Sequence, residues 1–336
     1  MHQLALVGCA HIHTPYFIGL LEQRGDVRFS VVWDQESDRA RDVAARTGAK
    51  QVESPAQAAV TEGVEAVIIC VETYLQEQVI EACVPMGKPM FVEKPLGMSA
   101  EQSLRLATLI EQAGIVFQTG YFMRYHPPYI QLKQALADQQ LGPINHVYGC
   151  YSHCGLIDGW FDAQWRWMAD VDKAGMGGMG DEGVHLIDVL MWLFGPVAKV
   201  SAVTSMGTGR FEGVDEFGTG QLIFASGVHA LIAGSWLDAD APTSLAVHGF
   251  TGSASINDGN LSVYSSRYDE KPLPPTVYEY DYRIDARDPI NVFLDAVFPS
   301  SSSCGLALIS AAEAAECRRV MSALYQSAEE ERWVKL

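Results

Sequence analysis

The chain has 336 residues, 48% of them apolar, and a formal net charge of −18 at pH 7. That length exceeds what one core usually organises, so two domains are expected, and the acidic balance argues against nucleic acid or an anionic membrane as a partner. The longest apolar runs, such as Ala66 to Val71, are strand-length and far short of a membrane span. Met1-His2-Gln3-Leu4 leads into a strand with no basic export region, and seven irregularly spaced cysteines suit buried thiols in a reducing compartment, so a cytoplasmic location is expected.

In chain order, residues 4 to 8 read as a short apolar strand, and His11 to Pro15 lead into a helix with Thr14 as its N-cap. Val27 to Trp33 is a second strand ending in Asp34, and Asp38 to Gly48 a polar-faced helix closed by its glycine. A weak strand near Lys50 to Val52, a strong one over Ala66 to Val71, and a helix from Leu75 to Met86 follow. Pro89 to Val92 is the next strand, Ser99 caps a helix running to Gly114, and Ile115 to Thr119 is a sixth strand. Strands alternating with helices at this spacing predict a right-handed, doubly wound parallel sheet.

The pattern changes after about residue 122. A helix over Pro128 to Gln139 and a second near residues 181–194 accompany an apparent strand from Val147 to Cys154. Alternating runs follow over Val197 to Met206, Thr219 to Trp236, Ser244 to Ile256, Leu261 to Ser265 and Val277 to Ile284. With a turn at Asn257-Asp258-Gly259-Asn260, they predict a large, mostly antiparallel open sheet in an α+β domain. Ser300 to Ser303 reads as a solvated loop before a last amphipathic helix, Ala307 to Ser327. The expected domains are 1–122 and 123–336, the C-terminal helices being able to pack back on the first.

Three stretches carry chemistry. At the end of a buried strand stands Phe91-Val92-Glu93-Lys94-Pro95-Leu96-Gly97, where Pro95 stops the ladder and leaves a charged pair at the carboxyl end of the sheet, the usual place for ligands. The first strand, its turn and a later acidic residue make a dinucleotide-site pattern, in which Asp34 accepts both ribose hydroxyls of NAD and repels the extra phosphate of NADP. The glycine signature is poor: the loop reads Gly8-Cys9-Ala10-His11-Ile12-His13, and His13 at the close-packing position is expected to push the helix off the strand. Third is Gly177-Gly178-Met179-Gly180-Asp181-Glu182-Gly183-Val184-His185-Leu186-Ile187-Asp188. If Asp181 begins a helix, His185 follows one turn later on the same face, a pairing suited to proton transfer, with glycines that let backbone approach a ligand. The competing reading is a capped helix with a hydrogen-bonded core histidine, paired with Asp188.

Metal readings are weaker. His11 and His13 after a first strand suit a metal-dependent hydrolase barrel, but Glu72 and Glu93 are the only further ligands at later strand ends. Cys150, His153 and Cys154 lie in one strand whose alternation separates them. No metal is expected.

Taken together these stretches resemble the glucose–fructose oxidoreductase / inositol dehydrogenase / rhizopine-catabolism family. The resemblance also takes in Gly120 to Pro127, Leu141-Gly142-Pro143-Ile144, Trp165-Arg166 and Trp333-Val334-Lys335-Leu336. It implies an N-terminal Rossmann domain, a C-terminal sheet used for assembly into a homodimer or homotetramer, and hydride transfer between NAD(P) and a hydroxyl or carbonyl of a sugar, cyclitol or related polyol. By position, Lys94 would hold the substrate hydroxyl and nicotinamide ribose, His185 would be the general base, and Asp181 would bind the neighbouring hydroxyl. The cofactor side would comprise Gly8, Ala10, His11, Ile12, Asp34, Thr73, Glu93 and Lys94, with NAD preferred over NADP. Arg124, Tyr125, Trp165 and Arg166 would be substrate-side. The family's T-P-x-x-x-H appears as Thr73-Tyr74-Leu75-Gln76-Glu77-Gln78, without its proline and histidine. A dinucleotide- or sugar-binding protein that has lost catalysis is the alternative.

Overall fold

In the computed structural model, residues 1–240, 243–265, 274–280, 287–300 and 305–336 are described. Expectations for residues 281–284 and 301–303 lie outside them. The chain divides into two compact units, the first formed by Met1–Gly120, Phe161–Gly175 and Pro289–Arg318, the second by Tyr121–Trp160, Met176–Asp288 and Arg319–Leu336. A single cut near residue 122 therefore does not describe it: two later segments belong with the first unit.

The first unit holds a six-stranded sheet of β1 (His2–Val7), β2 (Val27–Trp33), β3 (Lys50–Gln51), β4 (Val64–Ile69), β5 (Met90–Val92) and β6 (Phe117–Thr119). All neighbours pair in parallel, in the order β3-β2-β1-β4-β5-β6. The order reverses between β1 and β4, which places the ligand crevice of an open α/β sheet beyond their carboxyl ends. The crossovers include α1 (Thr14–Arg24), α2 (Ser37–Thr47), α3 (Pro55–Val60), α4 (Gln76–Cys83) and α5 (Ala100–Gln112). Short α7 (Val171–Ala174) and α9 (Pro289–Val297) join this unit from later in the chain, and α9 buries Ile290, Phe293 and Leu294 against Leu4, Leu6 and Phe91. Ser54 and Ser99 cap α3 and α5 by accepting from Gln57 N and Gln102 N.

His13, not Thr14, occupies the N-cap of α1 and makes no side-chain cap bond. Nor is α1 pushed off the sheet: Phe17, Ile18 and Leu21 are buried in one cluster with Leu4 and Leu6 of β1. The expected clash is absent because the imidazole of His13 turns away to Glu93, Nδ1 to Oε1 at 2.9 Å. An open sheet in this order is also not a barrel, which removes the metal-dependent hydrolase reading of His11 and His13.

The second unit is built on nine strands: β7 (Ile144–Ser152), β8 (Val197–Ser205), β9 (Phe217–Phe224), β10 (His229–Ser235), β11 (Thr243–Gly249), β12 (Gly252–Asn257), β13 (Asn260–Ser265), β14 (Thr276–Tyr278) and β15 (Val334–Lys335). Their order is β14-β13-β12-β11-β7-β10-β9-β8-β15, antiparallel except where β10 lies parallel to β7. The expected run Thr219 to Trp236 is two strands joined at Ala225-Ser226-Gly227, and Ser244 to Ile256 is likewise two. Alternation continues through an antiparallel hairpin, so it does not mark the reversal. The Asn257 to Asn260 turn is as expected, with Asp258 and Gly259 at φ +48° and +78°, the positive pair a two-residue hairpin favours. One sheet face is covered by α8 (Gly178–Phe194), whose Leu186 packs on Gly149 of β7; α6 (Pro127–Ala137) and the part of α10 (Ala311–Glu330) from Arg319 onward also belong to this unit. Among the described residues no helix is long and apolar enough to cross a membrane.

Candidate active site

In the first unit the site grows from the ends of β1, β2, β4 and β5. Gly8 follows β1 at φ +88°, and a Cβ there would meet Val71 Cγ1 at 2.3 Å and its backbone N at 2.5 Å. Only glycine fits, so the one glycine that survives in this loop is the one the strand crossing needs. The next residue, Cys9, donates its N–H to Asp34 Oδ2 at 2.5 Å. Asp34 Oδ1 accepts from Glu36 N and from Arg39 Nη2, both at 2.7 Å. With about four lone-pair sites per carboxylate, three are filled and one remains on Oδ2 for a ligand hydroxyl. Asp34 therefore fits one ribose hydroxyl directly, not the two that its position alone suggests.

The turn after β5 is held from several sides. Glu93 is 1% exposed; its Oε2 accepts Lys94 N at 2.8 Å, and its Oε1 faces His13. Gly120 makes room for it, since a Cβ there would sit 2.5 Å from Glu93 Oε2. Burial alone would raise the Glu93 pKa, but His11, then His13 and Lys94, outweigh it and bring it down to about 2. Buried Gln76 brackets the same turn: its Nε2 donates to Glu93 O at 2.9 Å and its Oε1 accepts Gly97 N at 2.7 Å. Arg318 donates to the carbonyls of Gly97, Met98 and Gly175. Lys94 itself is 4% exposed, and the Lys94–Pro95 peptide is cis.

The low Glu93 pKa predicts a pH-dependent stability. A carboxyl at about 2 folded against about 4.3 unfolded contributes about 3 kcal/mol above the unfolded value, lost as pH falls through the folded one. Glu93→Gln is expected to unfold more easily than wild type at pH 7, with roughly half of that gap left near pH 3. Denaturant titrations at both pH values check this, and a gap independent of pH contradicts it.

His11, His13 and Glu93 bring one donor atom each within 4.8 Å of one another, which raises a cation site. The hydrogen bonds argue otherwise. His11 Nδ1 already meets the N–H of His13 at 3.2 Å, and His13 Nδ1 faces Glu93 Oε1 at 2.9 Å, so these groups have partners within the protein. The same holds for His153, Asp181 and Glu182, the second such group. There Gly155 N donates to His153 Nδ1 at 2.9 Å, and Nε2 faces Glu182 Oε1 at 3.1 Å. Cys150 and Cys154 make separate contacts, with Ser152 and Asp158.

In the second unit α8 carries the acidic and imidazole groups. It starts at Gly178, so Asp181 lies in its first turn rather than at its cap. The glycine run serves packing within the protein: Cβ atoms on Gly177 and Gly178 would each meet a backbone oxygen at 2.2 Å, of Asp215 and Glu216 respectively. The helix's first N–H groups are also taken. Gly178 N and Met179 N donate to Asp215 O and Oδ2, while Gly177 N and Gly180 N donate to Tyr325 Oη. Asp215 and Tyr325, missed in the sequence, thus satisfy the end expected to face a ligand.

Down the same helix, Asp181 Oδ2 accepts Trp236 Nε1 at 3.0 Å. His185 is ringed by Tyr121, Phe122 and Tyr151, with centroids 5.9, 4.7 and 5.3 Å away. Arg124 grips Asp188 through Nε at 2.9 Å and Nη2 at 2.7 Å. Of the four substrate-side candidates, Arg124 is so engaged and Tyr125 is buried, its carbonyl accepting Arg287 N at 3.4 Å. Trp165 and Arg166 belong to the first unit, where Arg166 donates to Ala169 O at 2.9 Å. Ala10 and Thr73 are buried and Ile12 is half-buried near the crevice; the Ala10 carbonyl accepts Trp167 Nε1 at 3.1 Å.

Two family descriptions match this chain. One, an oxidoreductase family with an NAD-binding Rossmann fold, matches residues 2–121, and the C-terminal domain of the same GFO/IDH/MocA group matches residues 129–255. The chain belongs to the GFO/IDH/MocA oxidoreductase family. A curated relative, 1,5-anhydro-D-fructose reductase of Ensifer adhaerens, is 27% identical over 75% of each chain. Inositol 2-dehydrogenase of Rhodococcus erythropolis is 30% identical over 57% of this chain and 52% of its own, so the match spans about half of that relative. The WlbA dehydrogenase of Bordetella pertussis, solved with NADH and UDP-GlcNAcA, superposes with a TM-score of 0.80 at 20% identity, over 99% of this chain and 98% of its own. The parallel sheet with its mixed companion is the fold of this family. The cofactor its first domain takes is NAD, and Gly8, the lone acceptor on Asp34 and the crevice at the β1/β4 reversal fit it.

Proposed function

We propose that this protein is an NAD-preferring dehydrogenase moving a hydride between nicotinamide and a hydroxyl or carbonyl carbon of a sugar, cyclitol or related polyol. The observation that carries the reading is a lysine buried at the carboxyl edge of the dinucleotide sheet, in a turn fixed by Glu93, Gln76 and Arg318. Nicotinamide, when bound, supplies the hydride acceptor or donor. Lys94 holds the reacting hydroxyl, His185 takes its proton as the hydride leaves, and Asp181 binds the neighbouring hydroxyl. The Trp236 indole orients the Asp181 carboxylate for that task. Arg124 acts on this reading by positioning α8 through Asp188, not by touching substrate.

The test is a panel of inositols, aldoses and anhydrosugars with NAD, read as absorbance of the reduced nicotinamide. Turnover of at least one is expected; NADH binding without any turnover would favour the catalytically impaired protein instead. Assembly into a homodimer or homotetramer through the second sheet belongs to the same reading, supported by Tyr148, Val203 and Leu231, 41–66% exposed on the strand faces opposite α8. A single-chain mass by light scattering would remove it. So does a cytoplasmic location, supported by six free thiols among the described residues, which recovery of the protein from a secreted fraction would contradict.

A further inference from the structure

Beyond Asp34, the crevice holds a second carboxylate, Glu72, and the guanidinium of Arg39, neither of which the sequence placed on the cofactor side. Arg39, in the first turn of α2, sends one nitrogen to two acids: Nη2 lies 2.7 Å from Asp34 Oδ1 and 3.0 Å from Glu72 Oε1. Asp34 follows β2 and Glu72 follows β4, the two neighbours of β1, so the ion pair links the strand ends on either side of Gly8 and Cys9. A nucleotide's adenosine half meets this part of a doubly wound sheet, with its ribose 2′ position at the acid after the second strand.

Two polar atoms here are buried without a partner among the described residues, Arg39 Nε and Glu72 Oε2. Glu72 is 9% exposed and its side chain 12%. Burial works against the charge on Arg39, but Asp34 and Glu72 outweigh it and hold the guanidinium firmly protonated. The group is therefore an arginine with donors to spare and no charge to spare. Guanidinium is the side chain best shaped to grip a phosphate through two parallel N–H groups, and an arginine near this acid is what accommodates a 2′-phosphate. Two carboxylates around one cation leave the local sum negative, which repels a dianion.

We infer that Arg39 is a latent 2′-phosphate ligand kept closed by Glu72 together with Asp34, so that Glu72 is a second determinant of the preference for NAD over NADP. The inference rests on the nucleotide-binding reading above. Glu72 acts in two ways: it neutralises the one cation a 2′-phosphate would use, and its unfilled Oε2 accepts a hydroxyl where a phosphate oxygen cannot bind. Neutralising Glu72 while keeping its shape releases Arg39 for the phosphate with Asp34 still in place.

Equilibrium titrations of the full chain with NADH and NADPH, followed by nucleotide fluorescence, test this in wild type, Glu72→Gln and Glu72→Gln/Arg39→Ala. Wild type is expected to bind NADH at least tenfold more tightly than NADPH. Glu72→Gln is expected to bind NADPH more tightly than wild type does, narrowing the ratio at least tenfold. Adding Arg39→Ala should abolish that gain. Glu72→Ala, read the same way, stands in if the glutamine variant does not fold. An unchanged ratio, or a gain that survives loss of Arg39, overturns the inference while leaving nucleotide binding intact. Failure of wild type to bind either nucleotide overturns the underlying reading, and this inference with it.

Discussion

Replacing Lys94 by alanine is expected to lower turnover by about 10²-fold or more, the scale on which a positioned acid/base group contributes. Lys94 is buried, and its turn is fixed by bonds between the Gln76 and Glu93 side chains and the backbone that do not involve the ammonium, so its loss leaves the turn held. The low pKa of Glu93 draws first on His11 and His13 and only then on Lys94, so the carboxylate remains charged in the variant. For His185 alanine is the wrong choice: the ring packs among Tyr121, Phe122 and Tyr151, and truncation would leave a void costing about 2–4 kcal/mol. His185→Asn keeps most of the volume and removes the base. Steady-state rates for Lys94→Ala, His185→Asn and the double variant check the roles, with unfolding midpoints as the control. If the two groups serve one proton transfer, the double variant loses little more than the worse single one. Single-variant rates within a few-fold of wild type would reject both roles.

Much of the first unit was legible because its signals are local. Apolar runs such as Ala66 to Ile69 are buried on both faces of a parallel sheet and read as unbroken strands, and Ser99 announces α5. The six-residue α3 has too little pattern to stand out, and α9 reaches this core from beyond residue 288. In the second unit the period-two alternation was visible, whereas reversals at Ala225–Gly227 and near Phe250 were not, since both arms of a hairpin share that period. Site residues divided the same way. Glu93, Lys94, Asp181 and His185 stand in recognisable local strings. Their surroundings do not: Gln76 meets Glu93 because β4 and β5 are neighbours, and Tyr151 meets His185 because β7 lies under α8. The Arg39 pairing with Glu72 needs the order β2-β1-β4, which no stretch of sequence encodes by itself. Where local reading failed outright, at His13 and at the glycine run, a side chain or backbone expected to face a ligand had found a partner within the protein.

The buried pair between Arg124 and Asp188 is expected to carry the largest single effect on stability. The two side chains are 8% and 0% exposed and meet through two parallel bonds. Each buried charge there is offset by the other through that pair. Removing one partner leaves an uncompensated buried charge, at a cost of about 3–5 kcal/mol, whereas replacing both by apolar groups of similar volume is often close to neutral. Arg124→Met and Asp188→Leu are each expected to lower the urea unfolding midpoint strongly, and the double variant to recover most of the loss. The cycle also decides between two roles for Arg124. As a substrate contact it would tolerate loss of Asp188, and Arg124→Lys would raise KM with little change in stability. As the anchor of α8 it makes Arg124→Lys costly too, because an ammonium cannot supply the forked pair of donors. In that case kcat falls more than KM rises, since Asp181 and His185 stand on the same helix two turns and one turn before Asp188. A stable Arg124→Lys with an altered KM alone would return Arg124 to the substrate.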